Sequence, residues 1–328
     1  MAYLNSLLAA VNSVKPSTFD QTALAVFNYQ AQQNQVFKAY LDHLGHKGYA
    51  EHMDEVVFLP IEFFKYHEVK SGNWKAECVF QSSGTTGMQT SRHFIQDLNE
   101  YKQQTIKTFE SFYGAINDFA LLALLPSYLE RDDSGLIAMV DHFISLTSAE
   151  SSGYYLKNYA DLYGQLKQLA SGDKKIILWG VTFALLDFAE EFQLDFPELI
   201  IIETGGMKGR REEMVRSEVH QILSASFGVE RIHSEYGMTE LNSQAYSKGN
   251  GLFHPSSSLK VFVRDINDPF RFIGFEKTGA LNIIDLQNVH TCSFIETKDL
   301  GRVFENGDFE VMGRMDNSDI RGCNLMTL

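Results

Sequence analysis

Apolar residues recur along this chain with two different periods, and the change of period divides it. Over residues 1–75 the spacing is helical. Leu7, Leu8 and Val11 start one stripe, and Phe27, Tyr29, Phe37, Tyr40, Leu41 and Leu44 continue it through polar, Gln-rich turns. Phe58-Leu59-Pro60 stops the pattern, because proline disfavours helix at the residue before it. Over 76–242 short apolar runs alternate with amphipathic stretches. Strands are predicted at 77–81, 119–125, 175–179, 198–203 and 230–234, and helices at 94–113, 134–147, 159–171, 181–193 and 210–227. Continuous apolar runs such as 175–179 and 199–202 suit strands covered on both faces. Strands alternating with helices predict an α/β fold: a layered, mostly parallel sheet with helices. Over 243–312 the helical period disappears, and 259–263, 280–284 and 308–311 read as short strands punctuated by Gly, Asn and Asp. A small β subdomain beside the core is expected there, followed by a short tail over 313–328.

Composition adds bounds. The chain has 328 residues, 44% hydrophobic and 21% charged, which is enough for a full core. A net charge of −14 argues against nucleic acid as a partner, since sequence-independent binding needs a basic surface. No apolar run reaches transmembrane length; the longest, 119–125, is strand-sized. The first fifteen residues carry no basic leader ahead of their apolar positions. Three cysteines, Cys78, Cys292 and Cys323, are too few for a disulfide framework and lack metal spacing. A cytoplasmic, reducing setting is therefore expected.

The candidate chemistry starts at 79–93. An apolar strand runs into Ser82, Ser83, Gly84, Thr85, Thr86 and Gly87, which place four hydroxyls within five positions between backbone-freeing glycines. A loop of this kind wraps phosphates with N–H groups and hydroxyls, and Arg92 adds a nearby positive charge. The same composition suits an ordinary turn. Three further segments join it. Gly205 and Gly206 follow a buried strand and let a flat ring approach the backbone. Tyr236, Gly237, Thr239 and Glu240 offer an aromatic face, a hydroxyl and a carboxylate that suits Mg2+ beside phosphates. Asp299, an acceptor for ribose hydroxyls, lies just before Gly313 and Arg314. His142 sits in an apolar helical pattern and reads first as a hydrogen-bonded core histidine. His93 and His233 lie near the motifs as pocket candidates. No Gly-x-Ser-x-Gly elbow is present.

Together these segments resemble the adenylate-forming superfamily of acyl-CoA synthetases, adenylation domains and firefly-type luciferases. Ser82 to Gly87 is similar to its phosphate loop and 236–240 to its Tyr-Gly-x-Thr-Glu motif. Asp299 is similar to its ribose-binding aspartate and Gly313-Arg314 to the start of its hinge. The resemblance implies ATP and Mg2+, with Glu240 on the metal, Thr239 on the α-phosphate, and Tyr236, Gly205 and Gly206 around adenine. Two departures stand out. Met88-Gln89-Thr90-Ser91-Arg92 replaces the usual Pro-Lys-Gly, and the superfamily's lysine-bearing domain beyond the hinge is not expected here. Length and motifs are similar to the acyl-protein synthetases of bacterial luminescence (LuxE-type). That likeness implies activation of a fatty acid and its storage as a thioester on Cys323. A recipient protein follows, such as a reductase or acyltransferase subunit. Gly322 and the nearby Arg321 and Arg314 suit a reactive thiolate at Cys323, whereas Cys78 and Cys292 read as buried hydrophobes. Alternatives are a phenylacetate–CoA-ligase-like enzyme using CoA or another small acceptor, and a non-catalytic module that binds a nucleotide or aryl acid.

Overall fold

The computed structural model describes residues 2–82, 89–125, 133–156, 158–205 and 214–315. Its N-terminal stripe folds as α1 (Ala2–Asn12), α2 (Phe19–Gln33) and α3 (Gln35–His43). Asn34 caps α3, its side chain accepting the Phe37 N–H at 3.0 Å. The pattern stops, as expected, at β1 (Leu59–Pro60), and the single turn α4 (Phe63–Tyr66) follows.

The next stretch departs from the sequence expectation. β2 (Cys78–Gln81) pairs antiparallel with β3 (Arg92–Ile95), Cys78 opposite Ile95 and Gln81 opposite Arg92. The helix expected from residue 94 begins only at α5 (Leu98–Tyr113), where Asp97 accepts the Glu100 N–H at 2.9 Å as its cap. Before that cap a two-residue period prevails, with His93 and Ile95 buried and Arg92 and Phe94 half-buried. β2 and β3 thus pair with each other on either side of the hydroxyl-rich residues, and the two stand outside the main sheet.

The alternation that follows folds largely as predicted, through β4 (Phe119–Leu124), α6 (Gly135–Leu146), β5 (Gly153–Tyr154), α7 (Tyr159–Leu169), β6 (Lys175–Val181), α8 (Thr182–Glu191), β7 (Ile200–Thr204), α9 (Arg216–Phe227) and β8 (His233–Tyr236); the two-residue β5 was not expected, and β8 begins later than the predicted 230. The five strands lie in the order β5-β4-β6-β7-β8, all parallel. β4 is buried throughout its length, as an apolar strand covered on both faces must be.

β8 does not end the sheet. β9 (Ala245–Ser247) returns antiparallel along it and covers what would be an open edge. β10 (Leu252–Pro255), β11 (Leu259–Arg264), β12 (Gly279–Asp285), β13 (Phe294–Val303) and β14 (Phe309–Arg314) extend it in the order β9-β10-β14-β13-β12-β11. β1 adds to β13 in parallel, giving twelve strands among the described residues. The β segment is therefore hydrogen-bonded continuously with the parallel sheet. Two apolar clusters fill the two ends. One gathers the parallel strands with Phe109, Phe143, Trp179 and Phe188; the other joins α1–α4 to the antiparallel strands through Phe27, Phe37, Phe64 and Phe294. Among the described residues, no helix is long and apolar enough to cross a membrane.

Buried polar groups tie the N-terminal helices to the turn between β12 and β13. The Gln30 amide donates to the carbonyls of Asn288 (2.8 Å) and Val289 (3.0 Å) and accepts the Ser293 N–H (2.9 Å). Asn34 donates to the Thr291 carbonyl at 2.9 Å, as does the Ser71 hydroxyl. Gln30→Leu keeps the apolar volume but strands these backbone groups. It is expected to cost about 3 kcal/mol in urea unfolding, with an unchanged slope. A wild-type midpoint would refute the tie.

Candidate active site

Open α/β sheets bind ligands outside the carboxyl ends of their parallel strands. Here β7 ends at Gly205, whose φ of +78° lies in the left-handed region that favours glycine. Just before it, the Glu203 carboxylate is buried and fully engaged. It accepts from Thr182 (3.0 Å), Ser234 (2.8 Å) and Arg216 (3.2 Å), with His220 at 3.5 Å. Burial pushes its pKa up, but His220, Arg216 and Ser234 outweigh burial and hold it below the ordinary range. Arg216 also donates to the Val311 carbonyl at 3.0 Å, tying α9 to β14.

β8 carries the Tyr-Gly-Met-Thr-Glu strip to the same edge. Tyr236 is buried against Phe253 and Phe309, ring centroids 5.8 and 5.4 Å away. Its hydroxyl donates to Asp299 Oδ2 at 2.7 Å, and Arg314 Nε lies 3.3 Å from Asp299 Oδ1. The last contact follows from register, because Asp299 on β13 is paired with Arg314 on β14. Two of the segments singled out from the sequence thus converge on one carboxylate. Burial raises the Asp299 pKa, opposed by the Tyr236 hydroxyl and the Arg314 charge. Two of its four acceptor sites are taken, leaving two for a ligand.

The strip's end meets the hairpin. Glu240 is 5% exposed, with Ser91 among the groups that favour its charged form. Burial raises the Glu240 pKa; Ser91, its own backbone N–H and Arg314 oppose the rise, while Asp299 adds to it. Ser82 and Ser91, which flank the hydroxyl-rich residues in sequence, bond to each other. Ser82 N–H donates to the Ser91 carbonyl (3.1 Å) and Ser91 N–H to the Ser82 hydroxyl (2.9 Å).

Residues that the sequence did not flag hold this strip in place. Asn288 donates to the Glu240 carbonyl at 2.7 Å. Asp285, fully buried, accepts from the Asn242 and Ser243 N–H groups (2.8 and 2.9 Å) and from the Ser243 hydroxyl (2.6 Å). No sequence signal sets Asp285, Asn288 and Thr291 apart, because Gln287, His290 and Ser293 stand among them between the two apolar strands. His93, a pocket candidate, contacts the Thr239 carbonyl at 2.7 Å and Thr291 Oγ1 at 3.1 Å. Burial pushes its pKa down to about 4, so the ring is neutral.

Other candidates land elsewhere. Arg92 lies 5.6 Å over the Phe94 ring, on the hairpin face opposite His93. His233 packs against Tyr113, whose hydroxyl is 3.1 Å from Nδ1. His142 does not show the hydrogen bonding expected of a core histidine: its buried Nε2 has no partner among the described residues. Cys78 is half-buried and Cys292 buried, the latter's thiol pushed up to about 12 by burial. Ser83, Gly84, Thr85, Thr86, Gly87, Gly206 and Cys323 lie outside the described residues.

No protein-family profile and no curated protein matches this sequence. Solved structures do. ATP-bound MatB from Rhodopseudomonas palustris matches with a TM-score of 0.52 at 16% identity, over 72% of this chain and 47% of that one. A 2-hydroxyisobutyryl-CoA ligase in the postadenylation state with 2-HIB-AMP gives 0.68 at 12% identity, over 94% and 70%. An open conformation of that ligase with 2-HIB-AMP and CoA gives 0.68 at 11%, over 93% and 72%. The chain thus spans about half the length of MatB. The fold is that of the adenylate-forming acyl-CoA ligases.

One carboxyl that sequence reading passed over is Glu235. It projects from β8 on the face opposite Tyr236, accepts from Thr204 at 2.5 Å, and pairs across the sheet with Tyr246. Burial, and then the charge of Glu203, raise its pKa from 4.5 to about 7, although Thr204 opposes the rise. A raised carboxyl contributes stability below its unfolded pKa and loses it as pH climbs through the folded one. Glu235→Gln removes that loss. Relative to wild type it should gain stability between pH 5 and 7.5, by up to about 3 kcal/mol. Parallel stability curves for the two proteins in urea would contradict this.

Proposed function

We propose that the protein activates a carboxylic acid as its acyl adenylate and passes the acyl group to a thiol. The likeness to LuxE-type acyl-protein synthetases favours a fatty acid as substrate and Cys323 as the first acceptor. In that reading an acyl-acceptor protein, such as a reductase or acyltransferase subunit, takes the product. What carries the proposal is the meeting of residues 91–93, 236–240 and 299–314 in one cluster at the strand ends.

In this mechanism Asp299, oriented by Tyr236 and Arg314, accepts the ribose hydroxyls, and Tyr236 with Gly205 and Gly206 frames the adenine. The hydroxyls and N–H groups of 82–87 steady the β- and γ-phosphates, and Thr239 donates to the α-phosphate. Mg2+ fits Glu240: burial disfavours its negative charge, which a cation would restore, and Mg2+ binds through one or two carboxylates plus substrate phosphates. When bound, the ion neutralises phosphate charge. A carboxylate oxygen of the acid attacks the α-phosphorus, the bond to the bridging oxygen of the β-phosphate breaks, and pyrophosphate leaves. The Cys323 thiolate then attacks the acyl carbon, the C–O bond to AMP breaks, and the thiol proton passes to solvent. Positioning and charge neutralisation supply most of the acceleration.

A second reading, with CoA as the acceptor, draws on the fold shared with a ligase solved with CoA. Incubation with labelled fatty acid, ATP and Mg2+ separates the two. The first reading expects pyrophosphate release and a hydroxylamine-labile label on the chain. Cys323→Ala should abolish the label and keep ATP–pyrophosphate exchange. Product formed only with CoA selects the second reading. ATP binding without exchange for any acid leaves a nucleotide-binding module and removes both. Asp299→Ala should raise the ATP KM by ~10–100-fold, the equivalent of one or two lost hydrogen bonds, with the acid KM unchanged.

A further inference from the structure

β8 and β9 leave a gap on one face of the sheet. Glu235 pairs with Tyr246 and Tyr236 with Ala245; one step further along the same register, Gly237 stands opposite Gln244. By the two-residue period, Glu235, Gly237, Gln244 and Tyr246 share a face, the one away from Tyr236. Gly237 has no side chain to fill its place there. A Cβ added to it would collide with Glu235 Oε1 and lie 3.8 Å from Gln244 Cγ. The two side chains therefore flank one notch, at the carboxyl end of β8, where a parallel sheet receives its ligand. Gly237 is exposed and Glu235 half-buried, so the notch is open.

The oxygens at the notch are acceptors without donors. Thr204 occupies Glu235 Oε2, and among the described residues no hydrogen bond reaches Oε1. The Gln244 amide is oriented by its own bond. Its Nε2 donates at 3.3 Å to the Asn242 carbonyl, which only accepts, so the oxygen is the free end. That oxygen belongs to a residue 4% exposed and has no partner among the described residues. The Tyr246 hydroxyl, on the same face, is likewise buried and unpartnered. Buried polar atoms are ordinarily paired, so this face is complete only when a donor is supplied to it. Two acceptors suit a group with at least two hydrogens to give. A hydroxyl brings one; an amino group brings two, or three when protonated. Positive charge suits the notch as well, because burial and the Glu203 charge weigh against an ionised Glu235 and a cation favours it. A plain alkyl chain would leave both oxygens unpaired.

We propose that this notch selects the acid: the carboxylic acid activated here carries an amino group, held by Glu235 and Gln244 as specificity-determining residues. The proposal rests on the acyl-adenylate reading given above and narrows its substrate, with a plain fatty acid as the competing outcome of the test. Two variants probe the two acceptors separately. Glu235→Gln keeps the shape and removes the charge; Gln244→Leu keeps most of the volume and removes the second oxygen.

The test is ATP–pyrophosphate exchange by the full chain with Mg2+ and a panel of acids of matched chain length, butanoic to dodecanoic: plain, 2-amino and ω-amino. In wild type the kcat/KM of the best amino acid is expected to exceed that of its plain counterpart by ~100-fold or more, as for sites built to bind a substrate N–H. Each variant should lower that ratio by ~10-fold, the equivalent of one hydrogen bond. The ratio separates recognition from damage, because a loosened fold slows both acids alike. Exchange that favours the plain acids overturns the proposal and leaves the acyl-adenylate reading intact. Folded variants with the wild-type ratio also overturn it. No exchange with any acid overturns both. If Glu235→Gln does not fold, Gln244→Leu decides: a lowered ratio supports the proposal, and a wild-type ratio overturns it.

Discussion

A buried turn, residues 288–293, has to satisfy polar groups that arrive from three separate parts of the chain. Gln30 and Asn34 reach it from the N-terminal helices, Ser71 from the segment after them, and His93 from the hairpin. The turn in turn reaches the strip through Asn288 and the Glu240 carbonyl. A buried donor or acceptor left unpaired costs about 1–3 kcal/mol, so an arrangement that satisfies only some of these groups is strongly disfavoured. The N-terminal helices, far from the strip in sequence, thereby help to set where Thr239 and Glu240 lie.

The carboxylates at this edge divide by whether their charge is already compensated. Glu203 has Arg216, His220, Ser234 and Thr182 around it and stays ionised, acting as a strut between β7, β8, α8 and α9. Glu240 and Asp299 are nearly as buried, yet burial wins over the donors each has, and both are pushed upward. A carboxyl held in this way gains when a cation or ligand donor arrives. Buried carboxyls with perturbed pKa values are candidates for function on physical grounds, whereas Glu203 is better understood as architecture.

β8 lies at the seam between the two apolar clusters, and its pleat separates two environments. Tyr236 faces Phe253, Phe309 and Asp299 in the cluster shared with the N-terminal helices. Glu235, one residue earlier, lies on the opposite face beside Tyr246, which belongs to the other cluster with Trp179 and Phe109. A one-residue slip of β8 against β9 would exchange these faces and take Tyr236 away from Asp299. Continuity of the sheet from β8 into β9 is what prevents it.

Local pattern was sufficient for the helices after the hairpin, for the parallel strands other than the two-residue β5, and for Tyr236, Asp299 and Arg314 among the residues that converge. Continuous apolar runs such as those of β4 and β6 have no stable place except a doubly covered sheet, and that constraint acts within a few residues. It was not sufficient at the hairpin, where helical spacing from residue 94 competed with the two-residue period of His93 and Ile95. Only pairing with β2 and burial against Thr239 and Thr291 decided the outcome. The clamps on the strip, Asp285, Asn288 and Thr291, were likewise invisible, because a short polar residue in an apolar segment reads alike whether it faces water or a distant backbone carbonyl. Their partners lie tens to hundreds of residues away, and register between strands brought them together. The sequence alone singled out the candidate residues; the tertiary structure decided which of the described ones meet, since hydrogen bonds between distant segments exist only once the sheet has closed.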